Sequence, residues 1–351
     1  MDRPGHLMEL PQAVYVGDDV LPSLAGLLRE QELDGPVCVA SGPHVRLALG
    51  ERLAAGLRPL PASWVEVEAP TEEAVRLVAG AAGKAGARTI VGFGGGKTID
   101  VAKMAAFGLR LPMVSVPTSA SHDGISSPFA SLRGGSKPYS VKAKPPRLIA
   151  VDVKVVMGAP PRLLKGGFGD LVAKLTAVKD WELGKERKGE YFGSYSASLA
   201  RMSAELVMGR AGEVGSVSVE GTRALIEALI SAGVAAGIAG SSRPCSGSEH
   251  LVSHALELIA PGAGLHGEKT GISTIAMAKL HGLDWRSVKA SLERAGCPSS
   301  FDGVGLSVDQ VARAVMMAPS IRPDRYTILH ELKMGRREVE GLLRETGVVG
   351  A

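Results

Sequence analysis

The segment RTIVGFGGGKTID, residues 88–100, decides the fold. Arg88 to Phe93 reads as an apolar strand and Thr98 to Leu109 as a helix. The glycines between them let the backbone come close to a pyrophosphate, and the start of a helix offers free N–H groups and a positive dipole end to such an anion. Two phosphate motifs are excluded: an ATP P-loop needs glycine where Val91 stands, and GxGxxG needs it where Lys97 stands. A plain tight turn is the competing reading, and its place between strand and helix favours a phosphate-bearing cofactor.

The same beat of strand and helix runs outward from this segment. Strands are expected at Ala13 to Val16, Pro36 to Ala40, Trp64 to Val67, Met113 to Val116 and Leu148 to Val151, with helices between them and a polar loop from Ser119 to Lys144. Thr71 is the expected N-cap of the helix Thr71 to Gly86, with Glu72 and Glu73 at its positive end. Strands that are apolar throughout and separated by helices mean a parallel sheet covered on both faces. After Pro160 and Pro161 the strand signals stop and helical patterns follow one another, among them Asp170 to Glu186, Gly221 to Ala239 and Glu249 to Leu258.

A chain of 351 residues is long for one core. The expectation is two domains: residues 1–159, a Rossmann-like, doubly wound α/β dinucleotide-binding domain, and residues 160–351, an all-helical domain for metal and substrate. The site is expected in the interdomain cleft, at the carboxyl ends of the strands.

Composition narrows the function classes. A net charge of +4 without a run of Lys or Arg argues against nucleic acid as a partner. Cys38, Cys245 and Cys297 are few and scattered, which argues for a reducing compartment and against a thiolate zinc site. The N-terminus MDRPGHLMELPQ has no apolar signal core, and Leu229 to Ser242, the longest low-charge stretch, is too short to span a bilayer, so a cytoplasmic location without membrane insertion is expected.

Three further stretches carry chemistry. In SEHLVSHALELIAPGAGLHGE, residues 248–268, His250 and His254 are four apart and share a helix face, so spacing alone proposes them as a metal pair. Gly262 and Gly264 end that helix, and His266 follows. In GGFGD, residues 166–170, Asp170 reads as the N-cap of the helical domain's first helix, and its interest lies in His250 and His266 as partners, since one carboxylate and two imidazoles suit a catalytic zinc. The stretch VPTSASHDGISSP, residues 116–128, is rich enough in hydroxyls to hold a polyol or phosphate, or is simply a solvated loop. No GxSxG surrounds its serines, so nucleophilic catalysis is not indicated.

With these pieces the sequence resembles the superfamily of glycerol dehydrogenase, iron-containing alcohol dehydrogenases and dehydroquinate synthase. GFGGGKTIDVAK, VPTSASHDGISSPFAS, GFGDLVAK, SEHLVSHAL, LHGEKTGI and RYTILHEL together are similar to archaeal sn-glycerol-1-phosphate dehydrogenases, from about Pro36 to Leu332. The resemblance implies reduction of dihydroxyacetone phosphate to sn-glycerol 1-phosphate by NADH or NADPH, the step that sets the stereochemistry of archaeal ether phospholipids. It implies that Asp170, His250 and His266 hold one zinc per chain, with nickel and iron also suited to the set, and that Asp123, Asp170 and His254 touch substrate. It further implies that Gly94, Gly95, Gly96, Lys97, Thr98, Ile99, Asp100, Thr118, Ser119, Ala120, Ser121 and Ser127 hold the dinucleotide. A homo-oligomer is the expected assembly.

Two expectations go beyond that pattern. Ala40, Ser41 and Gly42 end the second strand without the carboxylate that binds the ribose 2′-hydroxyl in many NAD enzymes, so NADPH should serve at least as well as NADH. Arg133, Lys137, Lys142 and Lys144 are candidate partners for a substrate phosphate. The competing readings are a polyol dehydrogenase that takes no phosphate, a lyase like dehydroquinate synthase, and a noncatalytic nucleotide-binding protein.

Overall fold

A computed structural model describes residues 6–132 and 139–350. The chain divides into two compact units, Met1–Pro160 and Pro161–Ala351. In the first, the order is β1 (Ala13–Gly17), α1 (Leu24–Glu30), β2 (Val37–Ser41), α2 (Pro43–Leu57), β3 (Ala62–Glu66), α3 (Glu72–Lys84), β4 (Thr89–Gly94), α4 (Gly96–Leu109), β5 (Met113–Pro117), β6 (Phe129–Leu132), β7 (Tyr139–Lys142), β8 (Leu148–Asp152) and α5 (Val153–Met157).

Six of these strands form one parallel sheet in the order β1-β8-β5-β4-β2-β3. β2, β4, β5 and β8 are buried along their whole length, as apolar strands covered on both faces must be. Phe93, Val91, Val116 and Leu148 pack with Leu24, Leu28, Leu53 and Leu57 from the flanking helices. The register sets Ser41 beside Phe93 and Gly94 beside Pro117, so β2, β4 and β5 end together. At α3 the Thr71 side chain accepts from the Ala74 amide at 3.2 Å. The expected polar loop after β5 instead contains an antiparallel hairpin, β6 with β7. These strands are only four residues long, too short for alternation such as Tyr139-Ser140-Val141-Lys142 to stand out from a loop.

The second unit is helical: α6 (Pro161–Val172), α7 (Lys174–Lys188), α8 (Ser194–Gly209), α9 (Ala211–Gly215), α10 (Val219–Ala239), α11 (Ser248–Ile259), α12 (His266–Leu280), α13 (Trp285–Arg294), α14 (Val308–Ile321), α15 (Ile328–Leu332) and α16 (Arg336–Glu345). α10 is long and apolar enough to cross a membrane by length and composition, longer than the stretch singled out from the sequence. Its most apolar window is 78% buried, so it is a core helix.

One expectation is overturned here. Asp170 does not cap a helix but lies inside α6, which starts nine residues earlier at Pro161. Of the glycines that read as a helix opening, Gly166 and Gly169 serve close packing. A Cβ on Gly169 would strike the Gly267 carbonyl, one on Gly267 would strike the Gly166 carbonyl, and one on Gly271 would come 2.9 Å from the Gly169 Cα. Glycine weakens a helix by about 1 kcal/mol. Here it lets α6 and α12 touch backbone to backbone, which carries Asp170 to His266.

Candidate active site

The first unit presents the glycine turn. α4 starts at Gly96 with Gly95 as N-cap, and no side chain caps it. Amide donors of its first turn therefore remain for a ligand. Gly42 at the end of β2 lies against Thr98, and the Thr118 amide donates to the Gly94 carbonyl at 3.0 Å, which brings the β5 loop alongside. Space at this turn is tight: a Cβ on Gly94 would come 2.9 Å from Thr98 Oγ1, and one on Gly95 3.1 Å from Ser119 Oγ.

The candidate cofactor residues divide by what their side chains do. Lys97 is exposed; Thr98, Thr118, Ser119 and Ala120 are buried beside the turn, and Ser121 is half-buried. The Ile99 side chain is wholly in the core, and its amide donates to the Gly95 carbonyl at 3.1 Å. Asp100 is committed to the framework: Oδ2 accepts from the Ser131 amide at 2.9 Å and Oδ1 from buried Lys103 at 3.2 Å. Lys103 also donates to the carbonyls of Gly124 and Phe129. The Ser127 hydroxyl accepts from the Phe129 amide at 3.2 Å. Asp123 is half-buried at the head of a short 3-10 turn.

Sequence reasoning passed over His122. Its Nδ1 accepts from the Gly124 amide at 2.8 Å, and a Cβ on either Gly96 or Gly124 would collide with its ring. Two glycines thus cradle one imidazole over the first turn of α4. With Nδ1 as acceptor, the neutral ring carries its proton on Nε2. Nothing in residue spacing signals this, because the cradle is built from both sides of the turn.

In the second unit Asp170, His250 and His266 each offer a ligand atom, all within 4.8 Å of one another. His250 Nε2 is 3.4 Å and His266 Nε2 3.6 Å from Asp170 Oδ1. The other ring nitrogens are held from behind, His250 Nδ1 by Glu249 Oε1 at 2.8 Å and His266 Nδ1 beside Ser253 Oγ at 3.4 Å. That is how metal-binding imidazoles are oriented, the distal nitrogen bonded and the proximal one turned toward the other ligand atoms. Glu249 is itself fixed, accepting from the Gly247 amide at 2.6 Å and from Thr176 Oγ1 at 2.7 Å.

Asp170 Oδ2 accepts from buried Lys174 at 2.9 Å. Burial works against its charge, but Lys174 and the hydrogen bonds with His250 and His266 hold Asp170 well below the usual carboxylate range. The spacing-based pair of His250 and His254 is not the set that converges. His254 is half-buried and completes the imidazole cluster, its ring centre 6.4 Å from that of His250 and 5.9 Å from that of His266. Burial, followed by the charges of His266, His250 and Arg325, pushes its pKa well down, so it is neutral at ordinary pH. Lys142 and Lys144 are exposed, and Arg133 and Lys137 lie outside the described residues.

The glycine turn and this donor set mark a class. A family profile described as iron-containing alcohol dehydrogenase matches residues 15–160. Solved structures share the fold at low identity: a probable glycerol dehydrogenase from Sinorhizobium meliloti 1021 superposes with a TM-score of 0.80 at 20% identity, covering 97% of this chain and 98% of that one. Glycerol dehydrogenase from Schizosaccharomyces pombe gives 0.78 at 17%, covering 98% and 91%. Within the class, glycerol-1-phosphate dehydrogenase [NAD(P)+] of Cenarchaeum symbiosum is 49% identical over 98% of both chains, and that of Hyperthermus butylicus 46% identical over 98% of this chain and 99% of its own. The chain belongs to the glycerol-1-phosphate dehydrogenase family.

Proposed function

We propose that this NAD(P)-dependent oxidoreductase interconverts dihydroxyacetone phosphate and sn-glycerol 1-phosphate, with a divalent metal, zinc by its donor set, held by Asp170, His250 and His266. The observation that carries the reading is the convergence of those three donor atoms within 4.8 Å in a chain of this family. The residues fit the ion: a carboxylate oxygen and two Nε2 atoms face one another, and each of the three side chains is held by a second contact. They fit the dinucleotide too, since Gly95 and Gly96 leave the first turn of α4 uncapped and Cβ atoms there would fill the space beside Ser119 and His122.

When bound, the metal polarises the substrate's C2 oxygen and the nicotinamide carries the hydride. The chain's own groups do the rest. Lys174 holds Asp170 ionised and in place, and Glu249 fixes the tautomer of His250 with the proton on Nδ1. Neutral His254 hydrogen-bonds the substrate and accepts the hydroxyl proton in the oxidative direction, passing it to water at its exposed edge. Asp123 contributes a carboxylate to substrate, and the first turn of α4 with Thr118, Ser119 and Ser121 binds the dinucleotide.

The test is NADPH oxidation with dihydroxyacetone phosphate against dihydroxyacetone, each with and without a chelator. The reading expects chelator-sensitive turnover with a strong preference for the phosphorylated ketone. Equal use of both ketones would instead favour a polyol dehydrogenase.

A further inference from the structure

Among the described residues five Lys or Arg side chains are buried: Lys103, Lys174, Arg243, Lys269 and Arg325. Four have a carboxylate partner. Lys103 pairs with Asp100, Lys174 with Asp170, Lys269 with Glu257 at 2.5 Å, and Arg243 with both oxygens of Glu190. Arg325 has none. It is 4% exposed, and its guanidinium donates only to neutral acceptors, Nη1 to the Ser246 carbonyl and Nη2 to Ser242 Oγ at 2.7 Å. Its remaining N–H groups are uncommitted.

A buried charge without a counter-charge is costly and is normally avoided. The surroundings of Arg325 make its position worse. Burial first, then the charges of Arg322 and Arg243, pull its pKa down to about 9, and Asp324 and Glu190 offset this only in part. Both of those carboxylates are already engaged, Glu190 by Arg243 and Asp324 by Arg322 at 3.3 Å. Geometry ties Arg325 to the donor set: its Nη1 reaches the Ser246 carbonyl, and the carbonyl of the preceding residue, Cys245, accepts at 3.3 Å from Lys174, the lysine that pairs with Asp170. The second unit therefore holds a guanidinium without a carboxylate partner on the segment that leads into α11, the helix of His250 and His254, and an anion would complete it. The substrate brings one: a phosphate ester is close to doubly charged at neutral pH, and the planar guanidinium fork matches its oxygens.

We propose that Arg325 binds the phosphate of the substrate and sets the preference for a phosphorylated over a free ketone. The proposal rests on the function given above.

The experiment compares wild type, Arg325→Met and Arg325→Lys, each loaded with zinc. One readout is binding of sn-glycerol 1-phosphate by calorimetry. The other is the ratio of kcat/KM for dihydroxyacetone phosphate to that for dihydroxyacetone. Arg325→Met should weaken binding and lower the ratio by about 30-fold or more, chiefly through KM, the size of a lost charged hydrogen-bond pair. Arg325→Lys keeps a point charge but loses the fork, and should fall between the two. If Arg325→Met does not fold, the lysine variant carries the test alone, with an expected loss of about fivefold or more in the ratio. An unchanged ratio, or equal loss on both ketones, overturns the proposal, because a merely structural arginine cannot tell them apart. A wild type that turns over neither ketone overturns the underlying function instead.

Discussion

Lys174 Nζ lies 2.9 Å from Asp170 Oδ2, both groups are buried, and the two residues sit either side of the break between α6 and α7. The lysine occupies one carboxylate oxygen and leaves Oδ1 to the imidazoles. Removing one partner of a buried pair leaves an uncompensated charge, which costs about 3–5 kcal/mol. A bound divalent ion supplies the missing positive charge. Lys174→Met should therefore lower the thermal stability of metal-free protein far more than that of zinc-loaded protein, as calorimetry with and without zinc would show. Equal losses in both states would contradict the role given to Oδ1.

Glu249 holds His250 through Nδ1 and is not one of the three converging donors. Loss of such a supporting carboxylate typically costs about 10–100-fold in metal affinity. Glu249→Gln keeps the shape, and competition with a zinc chelator should place its affinity in that range below wild type. Wild-type affinity would show that the Nδ1 contact does not matter.

Gly96 makes room for His122 at the start of α4. In Gly96→Ala the new methyl must displace the imidazole from the first turn of the cofactor helix. The Kd for NADPH, read from nucleotide fluorescence, should rise by about tenfold or more, in keeping with about 1.4 kcal/mol of lost binding. Zinc content should be unaffected, since the metal ligands belong to the other unit.

Glu268 joins α12 to α6. It accepts two hydrogen bonds from Arg162 at 2.6 and 2.7 Å and one from the Leu265 amide at 2.7 Å. Burial opposes its charge, yet Arg162 and the Leu265 amide win and lower its pKa from the ordinary 4.5. A lowered carboxylate contributes stability above its unfolded pKa and loses it as pH falls through the folded one. Glu268→Gln should cost about 1 kcal/mol near neutral pH, a value kept low by the exposure of Arg162. The gap in melting temperature between variant and wild type should close below pH 4.5. A gap that stays constant down to pH 3 would count against this account.

Much of this was legible in the chain itself. Apolar strands between helices announce the parallel sheet, and the glycines before Lys97 announce its phosphate-binding turn, because both signals are local. What stayed hidden depends on contacts between distant segments. Gly166 and Gly169 look like a helix boundary unless the backbone of Gly267 is known to lie against them. Glu249 and His250 are neighbours in sequence and so, by helix geometry, should not face each other; the carboxylate reaches the ring all the same. His250 and His254 have the better spacing, yet the Nε2 atoms of His250 and His266 converge on Asp170, an arrangement that followed from family likeness and not from periodicity. The solitary charge of Arg325 cannot be read from a sequence at all, since its neighbours come from three separate segments.

The division of labour among the three histidines is the centre of the account, and zinc counted per chain in purified variants tests it most directly. Wild type and His254→Ala should each retain about one zinc, with turnover in His254→Ala lower by about 100-fold. His266→Ala should lose the metal and the activity together. If His254→Ala loses its zinc while His266→Ala keeps it, the metal is held by the helix-spaced pair and the assignment of Asp170, His250 and His266 is wrong.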